Sequence, residues 1–419
     1  MRTFPNGGSA AGGELTTRRE AMARELRAGF AGTAAATVGL EEELIVVDAG
    51  SLDPVDDVDS VLDRPCDQRV THEFRSAQLE LVIPPAQSAR RLSRLLGNAR
   101  LELIGALGGR ARILAAGGHP TARTPIRVTD LPRYREIALD HPWATRRGLP
   151  TGLHVHVAAG GPDEALAIYN ACRSYLPELT ALAANSPFFE GTDSGLASSR
   201  LKLTEDLPRS GIPPLFESWD DFASFASWGT MGGLFPDLTH CWWDLRLRPE
   251  YGTLEFRVFD AQTPLDETAA LVAVCQALVS ALAARYEAGE LPAALPTHMI
   301  GENRWRALRD GLDGDLVDYV TGVAQPARER LTRLLLQLEP HAAAAGCADE
   351  LAHAWPMIAQ NGAARQRAIA ARHGLDGLVR ALVDQTEDQA VTRPRRPAIS
   401  LLGATLESAG DVAEIGRVP

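Results

Sequence analysis

Four short segments share one pattern, and it constrains the fold more than any other feature of the chain. Side chains on an extended strand alternate between its two faces. In Gly39-Leu40-Glu41-Glu42-Glu43, Glu41 and Glu43 therefore point one way and Leu40 and Glu42 the other. In Gln78-Leu79-Glu80-Leu81-Val82-Ile83, Glu80 opposes Leu79, Leu81 and Ile83. In Gly152-Leu153-His154-Val155-His156-Val157, two imidazoles share one face and three aliphatic side chains the other. In Thr253-Leu254-Glu255-Phe256-Arg257-Val258, Glu255 and Arg257 oppose Leu254, Phe256 and Val258. Each strand offers one face to a core and one face of ionisable groups. If the apolar faces pack on helices, the polar faces converge on one surface. The expected class is α+β, an antiparallel sheet with helices packed on one face.

The rest of the chain fits that architecture. Strands are expected over residues 37–48, 72–83 (stopped by Pro84-Pro85), 111–116 and 151–158. A hairpin is expected from strands over 238–247 and 252–261. Leu92, Leu95, Leu96, Ala99, Leu103 and Leu107 follow helical spacing up to Gly108-Gly109. Residues 162–184, 267–287, 327–345 and 362–383 also read as helices. Residues 1–35 read as an N-terminal extension with a charged helix over 16–29, residues 36–385 as a single catalytic domain, and 386–419 as a C-terminal tail.

Alone, each polar face has a plain structural reading: a solvated edge strand, or a cross-strand ion pair. Four in one chain call for a common cause. Clustered carboxylates raise one another's pKa unless cations sit among them. Many carboxylate oxygens with one or two imidazoles suit Mg²⁺ or Mn²⁺ better than Zn²⁺. Mg²⁺ is held by a few carboxylates together with substrate phosphates, so a nucleoside triphosphate such as ATP is the expected ligand. Arg257 would then face a transferring phosphoryl group. Glu42, on the opposite face, reads as structural. Gly117-Gly118-His119-Pro120 follows a strand and makes His119 a candidate ligand contact. The chain has neither a GxxxxGK[ST] loop nor a GxGxxG after its first strand.

Composition narrows the partners. A net charge of −12 disfavours nucleic acid. The five cysteines are scattered and form no CxxC, which fits a reducing, cytoplasmic setting. No signal-peptide pattern opens the sequence and no run of eighteen apolar residues interrupts it, so neither export nor membrane insertion is expected. The long C-terminal helices are free, on sequence alone, to pack internally or across a homodimer.

In order, the motifs Val38-Gly-Leu-Glu-Glu-Glu43, Gln78-Leu-Glu80 with Pro84-Pro85, Gly118-His-Pro120, Thr151-Gly-Leu-His-Val-His156, Ala184-Asn-Ser-Pro-Phe188, Gly191-Thr-Asp-Ser-Gly-Leu-Ala-Ser198 with Arg200, Gly252-Thr-Leu-Glu-Phe-Arg257, Asn303-Arg-Trp-Arg306, and Gly362-Ala-Ala-Arg-Gln-Arg367 resemble the glutamate–cysteine ligase type 2 family. Within it the chain is most similar to the YbdK-type carboxylate–amine ligases. The resemblance spans roughly residues 37–370. It implies a glutamine-synthetase-like catalytic fold whose curved antiparallel sheet carries the active site on its concave face. It implies activation of a carboxylate by ATP to an acyl phosphate, displaced by an amine to form an amide; glutamate and cysteine are the family's default pair. By motif position, Glu41, Glu43, Glu73, Glu80, His154 and Glu255 match metal-binding positions and Arg257 a phosphate-side arginine. Arg200 matches a substrate or phosphate contact, and His156 and His119 fall at substrate- or nucleotide-binding positions. The loop Asp193-Ser194-Gly195-Leu196 departs from the family's commoner Thr and Tyr at its second and fourth positions. Segments 191–199 and 208–217, rich in Gly and Pro, are the expected lids. The competing reading is a hydrolase that uses the His/Glu cluster with a metal and no ATP.

Overall fold

A computed structural model describes residues 10–32, 36–123 and 126–391 of the 419-residue chain. Its main sheet contains β1 (Val38–Asp48), β2 (Val70–His72), β3 (Gln78–Ala86), β4 (Ala111–Leu114), β5 (Gly152–Ala158), β6 (Leu245–Arg248) and β7 (Thr253–Asp260). The order is β2-β3-β1-β5-β7-β6, with β4 also on β1, and every pairing is antiparallel. The helices that matter here are α1 (Ala10–Ala28), α2 (Ala89–Leu107), α3 (Pro132–Asp140), α4 (Pro162–Cys172), α5 (Leu176–Ala183), α6 (Ser199–Thr204), α7 (Trp219–Met231), α8 (Leu265–Glu287), α9 (Thr297–Asp310), α10 (Ala327–Ala344) and α11 (Gly362–Val391).

The alternation of the four strands works as expected. Leu40, Leu44 and Val46 of β1, Leu79, Leu81 and Ile83 of β3, Leu153, Val155 and Val157 of β5, and Leu254, Phe256 and Val258 of β7 enter one hydrophobic core. α2 and α8 lie beneath them. α2 buries Leu92, Leu96, Ala99, Leu103 and Leu107 and stops at Gly108, whose φ of 57° is the left-handed conformation that glycine adopts without strain. α8 is apolar nearly all round, as a helix enclosed by protein must be. By length and composition it is long and apolar enough to cross a membrane, but 78% of its apolar window is buried inside the fold. Glu42 also points into this side. Arg100 of α2 donates to both of its oxygens at 2.8 and 2.7 Å, and both side chains are fully buried.

The helices are not confined to one face. At the far end of β1, Ile45 and Val47 share the face of Glu41 and Glu43, and Leu378, Leu382 and Val383 of α11 cover them. α11 bends at Gly374 (φ 69°) and then closes the edge of β4. The Ile113 N–H donates to Glu387, the Ala115 N–H donates to the Thr386 hydroxyl, and Arg112 pairs with Asp384 and Glu387. Thr386 and Glu387, expected in a tail, are thus docked on the sheet. The N-terminal helix is docked as well: Phe30 is buried against Trp219, and Arg27 pairs with Asp163.

Several boundaries differ from expectation. The strand expected over 72–83 is two strands, because residues 73–77 turn between β2 and β3. Pro84-Pro85 does not stop β3. β2 pairs β3 only at residues 79–81, so the prolines sit where one strand side needs no donor. The helix expected over 162–184 breaks at residues 173–175, just before Pro177, and the strand expected over 238–247 begins only at Leu245.

Candidate active site

The strand registers bring the polar faces together. Glu43 lies opposite Glu80, Glu41 opposite His154, and Glu255 opposite both His156 and Arg246. His154 Nδ1 is 3.0 Å from Glu41 Oε2 and its Nε2 is 3.6 Å from Glu43 Oε1. His156 Nε2 is 3.4 Å from Glu41 Oε1, and its Nδ1 is 3.0 Å from the Thr253 hydroxyl. Glu73 joins from the β2–β3 turn, fixed by the Phe74 N–H at 2.8 Å and approached by the Tyr134 hydroxyl at 3.4 Å. The Gly152 N–H donates to Glu43 at 2.6 Å. A Cβ on Gly152 would lie 2.1 Å from Arg200 Nη2, so only glycine lets that guanidinium settle over the strand.

These groups cannot all carry their ordinary charge. Burial, with the neighbouring Glu43 charge next, pushes the Glu73 carboxyl up to about 7. Burial and then Glu73, Glu41 and Glu43 push Glu80 well above the carboxylate range. Burial alone would raise Glu41 too, but hydrogen bonds from His154 and His156 outweigh it and hold Glu41 far below. Burial and then Arg257 lower His154, so its imidazole is neutral at pH 7 and free to offer a lone pair.

Three groups place oxygen or nitrogen ligand atoms within 4.8 Å of one another: Glu43/Glu73/Glu80, Glu41/Glu80/His154 and Glu41/His156/Glu255. His154 Nε2 and His156 Nε2 are buried without a hydrogen-bond partner among the described residues. Orphaned imidazole nitrogens beside carboxylates that resist ionising fit divalent cations, and the oxygen-rich donor set fits Mg²⁺ or Mn²⁺. The third group fits less well. Glu255 is fully buried and accepts from Arg246 (2.8 and 2.7 Å), Arg248 (2.8 Å) and Arg257 (2.5 Å), so its oxygens hold three guanidiniums. Glu255 therefore combines two features: it belongs to a group able to hold an ion, and its carboxylate anchors arginines. Burial would lower its partner Arg257, but the Glu255 carboxylate keeps that guanidinium charged.

A cavity of about 340 Å³ opens over this surface. Glu41, Glu43, Glu73, Glu80, His154, Arg200 and Arg257 line it, as expected. His156 and Glu255, both buried, do not line it. His119 does not join it. Its Nε2 is bound 2.9 Å from the Leu52 carbonyl and its Nδ1 accepts from the Ala122 N–H, so the ring ties a turn to the β1–β2 loop. Neither expected lid lines the cavity. Its cover comes from α3 and residues 144–147, which contribute Arg133, Tyr134, Ile137, Thr145 and Arg147, and from Leu203 and Leu207 around α6. Arg246 and Arg248 were missed, although Leu245-Arg246-Leu247-Arg248 carries the same alternation as the four strands. Arg75 and Trp242 also line the cavity with no periodic signal to announce them.

Residues 37–391 match the family described as Glutamate-cysteine ligase family 2. A Rubrobacter xylanophilus protein provisionally named glutamate–cysteine ligase 2-1 is 36% identical over 355 residues, covering 82% of this chain and 92% of its own. A second from that organism is 38% identical over 349 residues, with 81% and 93% covered. Among solved structures, glutamate–cysteine ligase of Francisella tularensis in complex with AMP superposes with a TM-score of 0.60 at 13% identity, over 86% of this chain and 90% of that one. The bifunctional glutathione synthetase of Pasteurella multocida gives 0.60 at 16% identity, over 90% of this chain and 55% of its own. At these identities the structural likenesses speak for the fold, which is α+β and of the expected glutamine-synthetase-like class. With a family match over most of its length and relatives above 30% identity, the chain belongs to glutamate–cysteine ligase family 2.

Proposed function

We propose that the protein is an ATP- and Mg²⁺-dependent carboxylate–amine ligase that forms an amide through an acyl phosphate. One observation carries this reading: a cluster of four glutamates and the His154 imidazole faces an arginine wall within a single cavity, with His156 against Glu41 behind it. Glu41, Glu43, Glu73, Glu80 and His154 would hold the divalent cations, with His156 beside them. Bound there, the cations would supply positive charge that offsets the charge of the substrate's phosphate and carboxylate groups.

The chain's own residues supply the rest. A carboxylate oxygen of the acid attacks the γ-phosphorus and ADP leaves; the amine then attacks the acyl carbon and phosphate leaves with that oxygen. Arg257, clamped by Glu255, places a fixed positive charge where the phosphoryl group moves. Arg246 and Arg248 extend that wall. Arg200, immobilised over Gly152, faces the same space. Tyr134, Ile137, Leu203 and Leu207 close over it, which keeps water from the acyl phosphate until the amine arrives. Glutamate with cysteine is the first pair to test, since it is the pair in the relatives' names.

The test is ADP and phosphate release from purified protein with ATP, Mg²⁺ and mixtures of amino acids and amines, each omitted in turn. ADP that requires both an acid and an amine supports the ligase. ADP that requires the acid alone would indicate a kinase. Hydrolysis of an amide without ATP would overturn the reading in favour of a hydrolase.

A further inference from the structure

Apart from the exposed Arg133 and Arg147, the arginines that line the cavity fall into two groups. Arg246, Arg248 and Arg257 share the Glu255 carboxylate. Arg75 and Arg200 have no carboxylate within ion-pair distance among the described residues, although they are only 3% and 5% exposed. Arg75 donates to backbone carbonyls alone, Ile126 at 2.8 Å and Arg147 at 3.5 Å. Arg200 donates to the Arg257 carbonyl at 3.2 Å. The Nε of each is buried with no acceptor. A buried cation without a counter-ion is costly. Two of them lining one cavity mark a place built for an anion.

The register says where that place is. Arg200 lies over Gly152, the residue beside Glu43 at the start of β5. The Arg75 N–H donates to the Gln78 side chain, which itself donates to the Pro150 carbonyl, two residues before Gly152. Arg246 and Arg248 lie at the other end, opposite Glu255 and Thr253, which pair with His156 and Ala158. Gly152 and His156 are four residues apart, about 13 Å along a strand. The carboxylate cluster sits between. The cavity is thus cationic at both ends and acidic in the middle. A ligase must hold two anionic substrates whose reacting groups meet over the cations. At the Arg75 end the Ile126 and Arg147 carbonyls accept from Arg75 and the Pro150 carbonyl accepts from Gln78, which holds the guanidinium in place beside the cavity.

We propose that Arg75, with Arg200, forms an anion seat for the non-reacting carboxylate of the acid substrate, and that Arg75 is a specificity-determining residue for that acid. This rests on the ligase reading. A planar guanidinium fork matches a carboxylate bidentately, which an ammonium does not.

Steady-state ADP release tests it, with ATP and Mg²⁺, a saturating amine, and glutamate, aspartate and 2-aminoadipate, each also with one carboxylate amidated. Wild-type protein should use the dicarboxylates and lose about 10- to 100-fold in kcat/KM when the non-reacting carboxylate is amidated. Arg75→Gln should raise KM for the acid by a similar factor, leave KM for ATP within about twofold, and abolish the preference over the amide. Arg75→Lys should recover part of it. A rise in KM for ATP with that for the acid unchanged would make this a triphosphate seat and overturn the proposal. No change in either constant would make Arg75 a structural cation and overturn it too. Should Arg75→Gln not fold, equal use of acid and amide by the wild type would be sufficient disproof. Wild-type protein that releases no ADP with any acid and amine would instead defeat the ligase reading itself.

Discussion

Glu42 and its neighbours Glu41 and Glu43 are the same residue type on consecutive positions of one strand, yet they live under opposite physics. Glu42 points into the core side and is fully satisfied by the Arg100 fork, which also donates to the carbonyls of Gln262 and Thr263. Glu41 and Glu43 point into the cavity, among carboxylates that oppose one another's ionisation and imidazoles whose Nε2 atoms lack a hydrogen-bond partner among the described residues. The pleat separates the two by a single residue. One face holds its charge in a closed ion pair and contributes to folding. The other leaves its charges uncompensated, which costs stability and creates a site for cations.

The contrast can be broken by substitution. Glu42→Ala strands the Arg100 guanidinium in the core and should cost about 3–5 kcal/mol in urea denaturation, whereas Glu42→Met with Arg100→Leu should restore most of it. A single-mutant loss under about 1 kcal/mol would mean that the pair is not closed. Glu43→Gln or Glu80→Gln should do the reverse. ADP-forming activity should drop at least about 100-fold, while the metal-free protein melts no lower than wild type, since Glu43→Gln removes a repulsive charge and Glu80→Gln replaces a carboxyl whose charged form burial and its neighbours already disfavour.

A third experiment sharpens the comparison through pH. Glu73 titrates near 7 in the folded protein and near 4.3 when unfolded, and Glu80 is shifted the same way. Between those values the folded state holds protons that the unfolded state has released. Stability without metal should therefore fall as pH rises from about 4.5 through 7. Divalent cations compete with those protons. The rise in melting temperature on adding Mg²⁺ should be small at pH 5 and large at pH 8, and Glu73→Gln should flatten the trend. The smallest effect belongs to a carboxylate far from both faces. Glu387→Gln, at the β4 edge, should cost about 1 kcal/mol and leave activity per folded molecule unchanged, checked by denaturation and ADP release.

What the sequence made legible follows from periodicity. Alternation exposed the two faces of β1, β3, β5 and β7 and placed Glu42 apart from Glu41 and Glu43. The same rule applied to Leu245-Arg246-Leu247-Arg248 separates Arg246 and Arg248 from the leucines, a pattern hidden by a strand expected to run from 238 to 247. Arg75, Tyr134 and Trp242 were not legible, because a five-residue turn, a nine-residue helix and an irregular segment reach the cavity only through tertiary packing. His119 was misread for a physical reason. A glycine pair before a histidine does bring backbone close, but the approach is to the Leu52 carbonyl rather than to a ligand. Likewise Pro84-Pro85 reads as a strand stop only if both strand edges need donors, and one of them does not.

The measurement that tests the central claim most directly follows an atom. The reaction is run with the acid labelled with ¹⁸O in its reacting carboxylate, and the released phosphate is analysed by mass. If the carboxylate attacks the γ-phosphorus and the amine then displaces phosphate, one ¹⁸O passes into each phosphate for every amide formed. Phosphate released without label, or amide formed without phosphate, would contradict the acyl phosphate and with it this account of the cavity.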